Sequence, residues 1–360
     1  MKRTPFFELH QASGAKIVPF GGYEMPVQYS GIMEEHKCVR TAVGVFDVSH
    51  MGEFFVTGAN ALSFLQNITV NDVSKLVPGK AQYSAMCYDD GGIVDDLLIY
   101  MLAQDSYMVV VNAANIAKDW EWMQHHVPAN VVFENKSDEY ALLAVQGPQS
   151  LATMQKLTTV DLSVIPYYSF VRGTLAGVEM TISRTGYTGE LGFEIYFDGK
   201  HAVSVWNAIF EAGKEFGIAP IGLGARDTLR LEMGYCLYGN DIDQTTNPIE
   251  GGLGWITKPS KGSFIGKEML EKTKSEGPKR RLVGMMLTEK AVPRHGYPVL
   301  VNGAPAGTIT SGTFSPSLEK GIAMGYVDAA FAANGTAVQI DVRGKHMGAT
   351  VVPLPFLTKK

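Results

Sequence analysis

The spacing of apolar residues changes along the chain and divides it into three stretches. In the first fifty residues it predicts two helices and a strand, with the strand at 45–48. From there to about residue 140, strands and helices alternate. Extended segments are expected at 53–56 and 97–100, and helices at 59–66 and 114–125.

A second region of strands and helices begins with the apolar run 140–145 and includes a helix between 201 and 216. Its strands are rich in β-branched and aromatic residues, but they lack the strand–helix–strand rhythm of a parallel doubly wound sheet. The pattern therefore favours an antiparallel α+β fold.

Between residues 267 and 281 the sequence becomes charged and reaches Gly277-Pro278, a change that indicates a domain boundary. The basic triplet 279–281 is interpreted as a solvated linker. Beyond it, short apolar runs are separated by Gly, Pro and Asn, which is typical of a β-sandwich or β-barrel. These runs are 282–287, 297–301, 306–309, 322–327 and 338–342.

Composition narrows the class of protein. The chain has 360 residues, of which 46% are hydrophobic and 19% charged, and its formal net charge is -5. A large core can form, whereas the acidic balance argues against a partner nucleic acid. The sequence has no uninterrupted apolar run of membrane-spanning length and no secretory leader, so we expect no membrane partner and a cytoplasmic location. Cys38, Cys87 and Cys236 form no C-x-x-C pair, so neither disulfides nor a thiolate zinc site is expected.

Several common catalytic motifs are absent from the sequence. It contains no G-x-S-x-G, no Walker motif, no H-E-x-x-H and no full G-x-G-x-x-G, so we expect no metal and no nucleotide cofactor. Asp47, Ser49 and His50 are the residue types of a hydrolase triad. Because neighbouring residues on a strand point to opposite faces, Ser49 and His50 are not expected to pair.

Three segments carry polar residues whose role the pattern leaves open. Asp95 and Asp96 lie between a glycine turn and an apolar strand, where they either support the turn or place one carboxylate inward. Glu194 interrupts an apolar strand and is either solvated or a recognition group. Arg226 lies on a helix beside a glycine-rich loop, where it either binds a carboxylate as a planar fork or pairs with an acid of its own helix.

These segments occur in the same order in the glycine cleavage T-proteins, and the sequence resembles that family along almost its whole length. The resemblance is specific because many independent motifs agree. The matching segments are K-R-T-P-F-F-E-L-H from Lys2, F-G-G-Y-E-M-P-V-Q-Y from Phe20, F-D-V-S-H-M-G-E from Phe46, G-G-I-V-D-D-L from Gly91, V-N-A-A-N from Val111, S-R-T-G-Y-T-G-E-L-G-F-E from Ser183, G-L-G-A-R-D-T-L-R-L-E from Gly222, L-Y-G-N-D-I-D from Leu237 and I-T-S-G-T-F-S-P from Ile309.

The resemblance implies an α+β fold of three domains around a central folate-binding opening. Two would be mixed antiparallel α/β domains and the last a C-terminal β-barrel. The folate-binding aminomethyltransferase region is then expected over 1–275, with subdomains at roughly 1–50 with 140–275 and at 51–139. The barrel is expected over 279–358.

The reaction that the resemblance implies is transfer of a methylene group from an aminomethyl-lipoyl arm on the H-protein to tetrahydrofolate, with release of ammonia. The implied partners are the lipoylated H-protein and, more loosely, glycine decarboxylase and dihydrolipoyl dehydrogenase. By position, Asp96 matches the catalytic aspartate, Glu194 the pterin-binding glutamate and Arg226 an arginine of the folate site. In that role the Asp96 side chain is expected to turn inward, while Asp95 points the other way and serves the turn. The residues at positions that resemble the pocket lining are Met51, Tyr83, Tyr100, Asn112, Tyr187 and Tyr235.

The end of the chain departs from the family pattern, and two rival functions stay open. Close family members have an arginine near the end that helps to hold the folate, whereas 355–360 offers only lysines, which have no planar fork. Folate-binding iron–sulfur assembly factors carry K-G-C-Y-x-G-Q, but Ser263 replaces the defining cysteine here. A folate-dependent demethylase of a small methylated substrate would use the same pocket and is the main alternative.

Overall fold

The structure is a computed structural model that describes residues 1–358. It confirms the predicted class, since mixed α/β sheets are followed by a closed six-stranded β-barrel. No helix among the described residues is long and apolar enough to cross a membrane.

The helices α1–α8 are Phe7–Ala12, Ile32–Thr41, Ala61–Ile68, Ile116–Gln124, Ser150–Gln155, Ala202–Gly213, Leu223–Glu232 and Lys267–Glu276. The strands β1–β19 are Lys16–Phe20, Tyr23–Gln28, Gly44–Asp47, Gly52–Thr57, Ala81–Cys87, Ile93–Ala103, Ser106–Val111, Val132–Asn135, Tyr140–Gln146, Phe170–Leu175, Val178–Ser183, Gly192–Asp198, Ala219–Pro220, Arg280–Leu287, Pro298–Val301, Ala304–Ser315, Lys320–Asp328, Ala337–Val342 and Lys345–Val352.

The chain forms two compact units, each built from separated segments. Unit 1 contains Met1–Leu65, Val73–Tyr83 and Leu97–Asp227. Unit 2 contains Gln66–Asp72, Ser84–Asp96 and the chain from Thr228 onward. The division into a region over 1–275 with two subdomains and a barrel over 279–358 stays a prediction.

A six-stranded sheet in unit 1 has the order β10-β11-β12-β9-β3-β13. All its pairs are antiparallel except β13 with β3. The sheet has a continuous core because alternate residues of its strands, such as Phe193 and Ile195 on β12, are fully buried. Helix α6 adds Val205 and Ile209 to the same core, at the spacing of one helix face.

A second, five-stranded sheet has the order β5-β6-β7-β4-β8. Strand β6, the longest of the sheet at 11 residues, begins in unit 2 at Ile93 and ends in unit 1 at Ala103. The strands predicted at 53–56 and 97–100 lie within β4 and β6, so these two predictions are confirmed.

The expectation of two helices and one strand in the first fifty residues is incomplete, because β1 and β2 form a hairpin there. Gly21 and Gly22 join the strands with φ of 55° and 85°, the left-handed pair that a tight hairpin turn requires. In the sequence, the Gly-Gly pair indicates a hairpin turn. Pro19 and Pro26 argue against strands on either side of it, because proline is rare inside strands.

The barrel in unit 2 closes in the order β14-β17-β16-β15-β18-β19. Its core contains Met285, Ile309 and Ile340, all fully buried. The five apolar runs correspond to β14–β18, but the sequence reading missed β19, which follows β18 through a two-residue turn at Arg343 and Gly344. Strand β19 opens with polar residues, so its apolar pattern is weak.

The charged segment before the barrel is not a linker. Residues Lys267–Glu276 form α8, whose Leu270 is fully buried. Arg280 already belongs to β14, where its guanidinium contacts Glu250 and lies 4.7 Å from the centre of the Tyr326 ring. The interpretation of 279–281 as a linker was therefore wrong, because Arg280 and Arg281 already belong to β14 and the Arg280 side chain packs against Tyr326 and Glu250, although Lys279 and Arg281 are exposed.

Candidate functional site

Glu194 lies on β12 of unit 1, on the side opposite Phe193 and Ile195. Its carboxylate accepts a hydrogen bond from the Thr185 hydroxyl. Burial raises the pKa of the Glu194 carboxyl, while the Thr185 hydrogen bond and the positive charge of Arg226 act in the opposite direction. Glu194 is therefore a fixed carboxylate with a guanidinium as its electrostatic neighbour.

A cluster of buried hydroxyl groups supports this carboxylate. The Tyr100 hydroxyl lies 3.0 Å from that of Tyr196 and 3.3 Å from Thr185 Oγ1. Burial raises the pKa of both tyrosines, so each hydroxyl stays protonated and can donate. The cluster leads from the fully buried Tyr100 to Glu194 and holds the Thr185 donor in place.

Arg226 projects from α7, whose Ala225 and Leu229 are fully buried. The guanidinium lies 4.3 Å from the centre of the Tyr187 ring, which is the geometry of a cation–π contact. Burial and the charge of Arg226 lower the pKa of His50 to about 4, so this histidine is neutral at pH 7. Glu194, Arg226 and Tyr187 thus share one region of unit 1.

The glycines around Glu194 are needed because of a buried amide. A Cβ on Gly186 or Gly192 would lie 2.0 Å and 2.3 Å from atoms of the Gln146 side chain. Gln146 donates to the Thr185 carbonyl and accepts from the Thr188 hydroxyl, 2.9 Å away. The loop in front of β12 is thereby fixed by one side chain from β9.

Asp95 and Asp96 point to opposite sides of β6, as expected, but the buried aspartate is Asp95 and not Asp96. Asp95 is 0% exposed and shares its side of the strand with the buried Leu97, whereas Asp96 is partly exposed. The expectation that Asp96 turns inward while Asp95 serves the turn was wrong.

Tyr235 lies in unit 2, directly after α7. Its backbone N–H donates to the Arg230 carbonyl, and its own carbonyl accepts from the Arg230 guanidinium at 2.8 Å. Burial, then the charges of Asp241 and Asp96, raise the pKa of the adjacent Cys236 thiol. Asp96 is therefore an electrostatic neighbour of the loop that carries Tyr235.

The hydrolase triad does not form, as the sequence predicted. The Ser49 hydroxyl donates to the carbonyl of Leu142 and accepts from its N–H at 3.0 Å. Asp47 does contact a histidine, but it is His10, whose Nε2 lies 2.8 Å from the carboxylate. Ser49 and His50 thus belong to separate environments.

Glu53, on β4 of unit 1, is a buried acid. It is 1% exposed, and neither carboxyl oxygen has a hydrogen-bond partner among residues 1–358. Burial raises the pKa of Glu53 well above its usual value and so favours the neutral form of the carboxyl.

Two family models cover the chain. One, described as GCVT N-terminal domain, matches residues 6–261, and the other, described as Glycine cleavage T-protein C-terminal barrel domain, matches residues 280–357. The chain belongs to the glycine cleavage T-protein family.

Relatives in the T-protein family match along the full length. The chain is 57% identical to the aminomethyltransferase of Bacteroides thetaiotaomicron, covering 99% of both chains, and 55% identical to that of Flavobacterium psychrophilum, covering 100% of both. Among solved structures, the glycine cleavage system aminomethyltransferase T from Bartonella henselae superposes with a TM-score of 0.93 at 34% identity, covering 99% of this chain and 98% of that one. The chain is thus an enzyme of the transferase class.

The structure brings together only part of the set of residues predicted from the T-protein family. Glu194, Arg226, Tyr187 and Tyr100 share one region of unit 1, while Asp96 and Tyr235 border the same loop of unit 2. Met51, Tyr83 and Asn112 are half-buried residues of unit 1, and their role in the site stays a prediction. The tail lysines, Lys359 and Lys360, lie outside the described residues.

Pattern reading missed three residues of this region, namely Thr185, Tyr196 and His50. Tyr196 carried a signal, because it shares the side of β12 that holds Glu194. Thr185 lies inside the recognised motif, but its contact with Glu194 depends on how the loop folds back on the strand. Neither spacing nor composition could supply that contact.

Proposed function

We propose that this chain transfers the methylene group of an aminomethyl-lipoyl arm to tetrahydrofolate, with release of ammonia and formation of methylenetetrahydrofolate. The observation that carries the proposal is the fixed Glu194 carboxylate beside Arg226. The aminomethyltransferase relatives support the reaction type.

The residues around Glu194 fit a pterin. A pterin presents an amino group and a ring N–H along one edge, and a carboxylate can accept from both. The Thr185 hydroxyl occupies one acceptor position of Glu194 and holds the carboxylate in one orientation. Tyr187, under the Arg226 guanidinium, offers an aromatic wall. Bound tetrahydrofolate would supply the nitrogen that accepts the one-carbon unit.

Asp96 is the residue we assign to the chemistry. Its carboxylate can stabilise a positive charge that develops on the aminomethyl group and can take up the proton that the attacking nitrogen loses. Partial exposure suits this role, because the group must reach a substrate. The fully buried Asp95 is assigned a structural role.

The partner in this proposal is the lipoylated H-protein, which delivers the aminomethyl group. Glycine decarboxylase and dihydrolipoyl dehydrogenase would act on the same carrier before and after this step. The cytoplasm is the proposed location, because Cys38, Cys87 and Cys236 are all free thiols, as is usual in a reducing compartment.

The decisive experiment incubates the protein with tetrahydrofolate and aminomethyl-lipoylated H-protein and follows ammonia. We expect ammonia release that depends on both components. Omission of tetrahydrofolate is the control. Turnover of a methylated small molecule without ammonia release from the carrier would instead favour the demethylase and refute the proposal.

A further inference from the structure

A buried ionic network in unit 2 joins the barrel to the loop after α7. Arg230 is 1% exposed and donates to Asp241 at 2.6 Å, to the Tyr235 carbonyl at 2.8 Å and to Ser311 Oγ at 2.7 Å. Asp241 also accepts from the hydroxyls of Thr310 and Ser311. We call Arg230, Asp241, Thr310 and Ser311 the Asp241 network.

A bulge in the barrel makes this network possible. Neighbouring residues on a regular strand point to opposite faces, so Thr310 and Ser311 should not both reach one carboxylate. The register of β16 against β17 shifts between Ile309 and Ser311, which makes Thr310 an extra residue. The bulge thereby lets both hydroxyls contact Asp241.

The loop that the network holds contacts the segment that carries Asp96. The Leu237 N–H donates to Asp241 at 3.0 Å, which fixes the middle of the loop. The hydroxyl of the next residue, Tyr238, donates to the Ile93 carbonyl at 3.0 Å. Ile93 begins β6 and precedes Asp96 by three residues.

The far end of the loop contacts the same segment. The Ile93 N–H lies 3.1 Å from the carbonyl of Asp243 and 3.0 Å from that of Thr246. A Cβ on Gly92 would lie 2.1 Å from the carbonyl oxygen of Gln244, so only glycine allows this approach. The start of β6 is therefore held by the loop through both backbone groups of Ile93.

We propose that the Asp241 network is a positioning device for the reaction, which acts through Tyr238 and Ile93 to fix the backbone that carries Asp96. This rests on the proposed function, in which Asp96 does the chemistry. It assigns a role to the barrel: the bulge hydroxyls of β16 set the position of a carboxylate far away in sequence. The sequence motifs L-Y-G-N-D-I-D and I-T-S-G-T-F-S-P then act together, because the first supplies Asp241 and the second supplies Thr310 and Ser311.

The test is a matched pair of substitutions at Thr310. Thr310→Val keeps the shape and removes the hydroxyl that contacts Asp241, whereas Thr310→Ser keeps the hydroxyl. A small displacement of a catalytic group is costly, so we expect Thr310→Val to lower kcat for ammonia release about tenfold with KM for tetrahydrofolate within about twofold. Thr310→Ser should stay close to the unmodified protein.

Hydrogen exchange supplies a readout that does not depend on the reaction. In Thr310→Val, amides of residues 91–97 and 235–246 should exchange faster, because the loop that holds Ile93 loosens. The control is Ser315→Ala on the same strand, which removes a buried hydrogen bond to Glu232 and not to Asp241. It should lower Tm but leave both kcat and the exchange of 91–97 unchanged.

Unchanged exchange at 91–97 in Thr310→Val, faster exchange with an unchanged kcat, or equal effects of Ser315→Ala would each overturn the inference. If Thr310→Val does not fold, Tyr238→Phe breaks the last link of the chain and carries the same expectation. A wild-type protein that releases no ammonia would refute the proposed function, while the exchange data would still show whether the network holds Ile93.

Discussion

Replacement of Glu194 by Gln is the sharpest test of the folate site. The carboxylate has one acceptor position occupied by Thr185 and the rest available to the two donors of a pterin edge. The amide keeps one acceptor oxygen but turns the other atom into a donor that faces a donor. Loss of one hydrogen bond to a charged group costs about 1.5–3 kcal/mol, so Kd for tetrahydrofolate should rise roughly tenfold to a hundredfold.

Calorimetric titration with tetrahydrofolate at several pH values measures this effect. The control is Glu190→Gln in the same loop, where Glu190 contacts Arg40 at 2.9 Å and should leave the affinity unchanged. Because burial raises the pKa of Glu194, the wild-type protein should lose affinity as pH falls toward that pKa and the carboxyl becomes protonated. The Gln variant should lack this contribution. Equal affinity and equal pH dependence in the two proteins would remove Glu194 from the site.

Substitutions of Asp96, Asp95, Arg226 and Glu53 test the remaining assignments. Asp96→Asn should bind folate but release ammonia at least about 100-fold more slowly, whereas Asp95→Asn should mainly lower Tm. If Asp95→Asn abolished turnover in a folded, folate-binding protein while Asp96→Asn stayed active, the assignment would be reversed. Arg226→Lys should weaken folate binding about tenfold, since lysine lacks the planar group stacked on its aromatic neighbour, and an unchanged Kd would contradict this. The pKa of Glu53 is higher in the folded state than in the unfolded state. Its contribution to the free energy of unfolding is therefore complete below about pH 4.3 and is lost as the pH rises to the folded-state pKa, at about 1.4 kcal/mol per pH unit. Urea unfolding at pH 5 and pH 8 should therefore show a smaller alkaline loss for Glu53→Gln, and parallel losses would count against a neutral buried acid.

Sequence patterns located strands and helices where one face is buried and the other is not. Strand β12 and helix α7 were predicted because apolar residues recur at every second position around Phe193 and at every fourth position around Leu229. The side of β6 on which each aspartate lies could not be read in this way. Apolar residues occur on both sides of that strand, so the alternation does not show which side faces the core.

Contacts between distant segments were beyond the sequence. Arg230 lies one helical turn after Arg226 on α7, yet its side chain is buried and paired with Asp241 and Ser311. A buried guanidinium is tolerated only when such partners saturate it. They lie 11 and 81 residues away, one of them at a bulge that no composition signal marks.

The interleaved segments of the two units have a consequence for synthesis on the ribosome. Unit 1 is complete once residue 227 has emerged, but Ser84–Asp96 of unit 2 is made early and must await Thr228 and the rest of the chain. At about 5–20 residues per second, that delay is on the order of ten seconds. During this time Ile93, fully buried in the finished protein, lacks Asp243 and Thr246, whose carbonyls later accept from its backbone N–H. The nascent chain should therefore engage a holding chaperone between these two points, and a chain truncated after residue 277 should aggregate instead of yielding a soluble fragment.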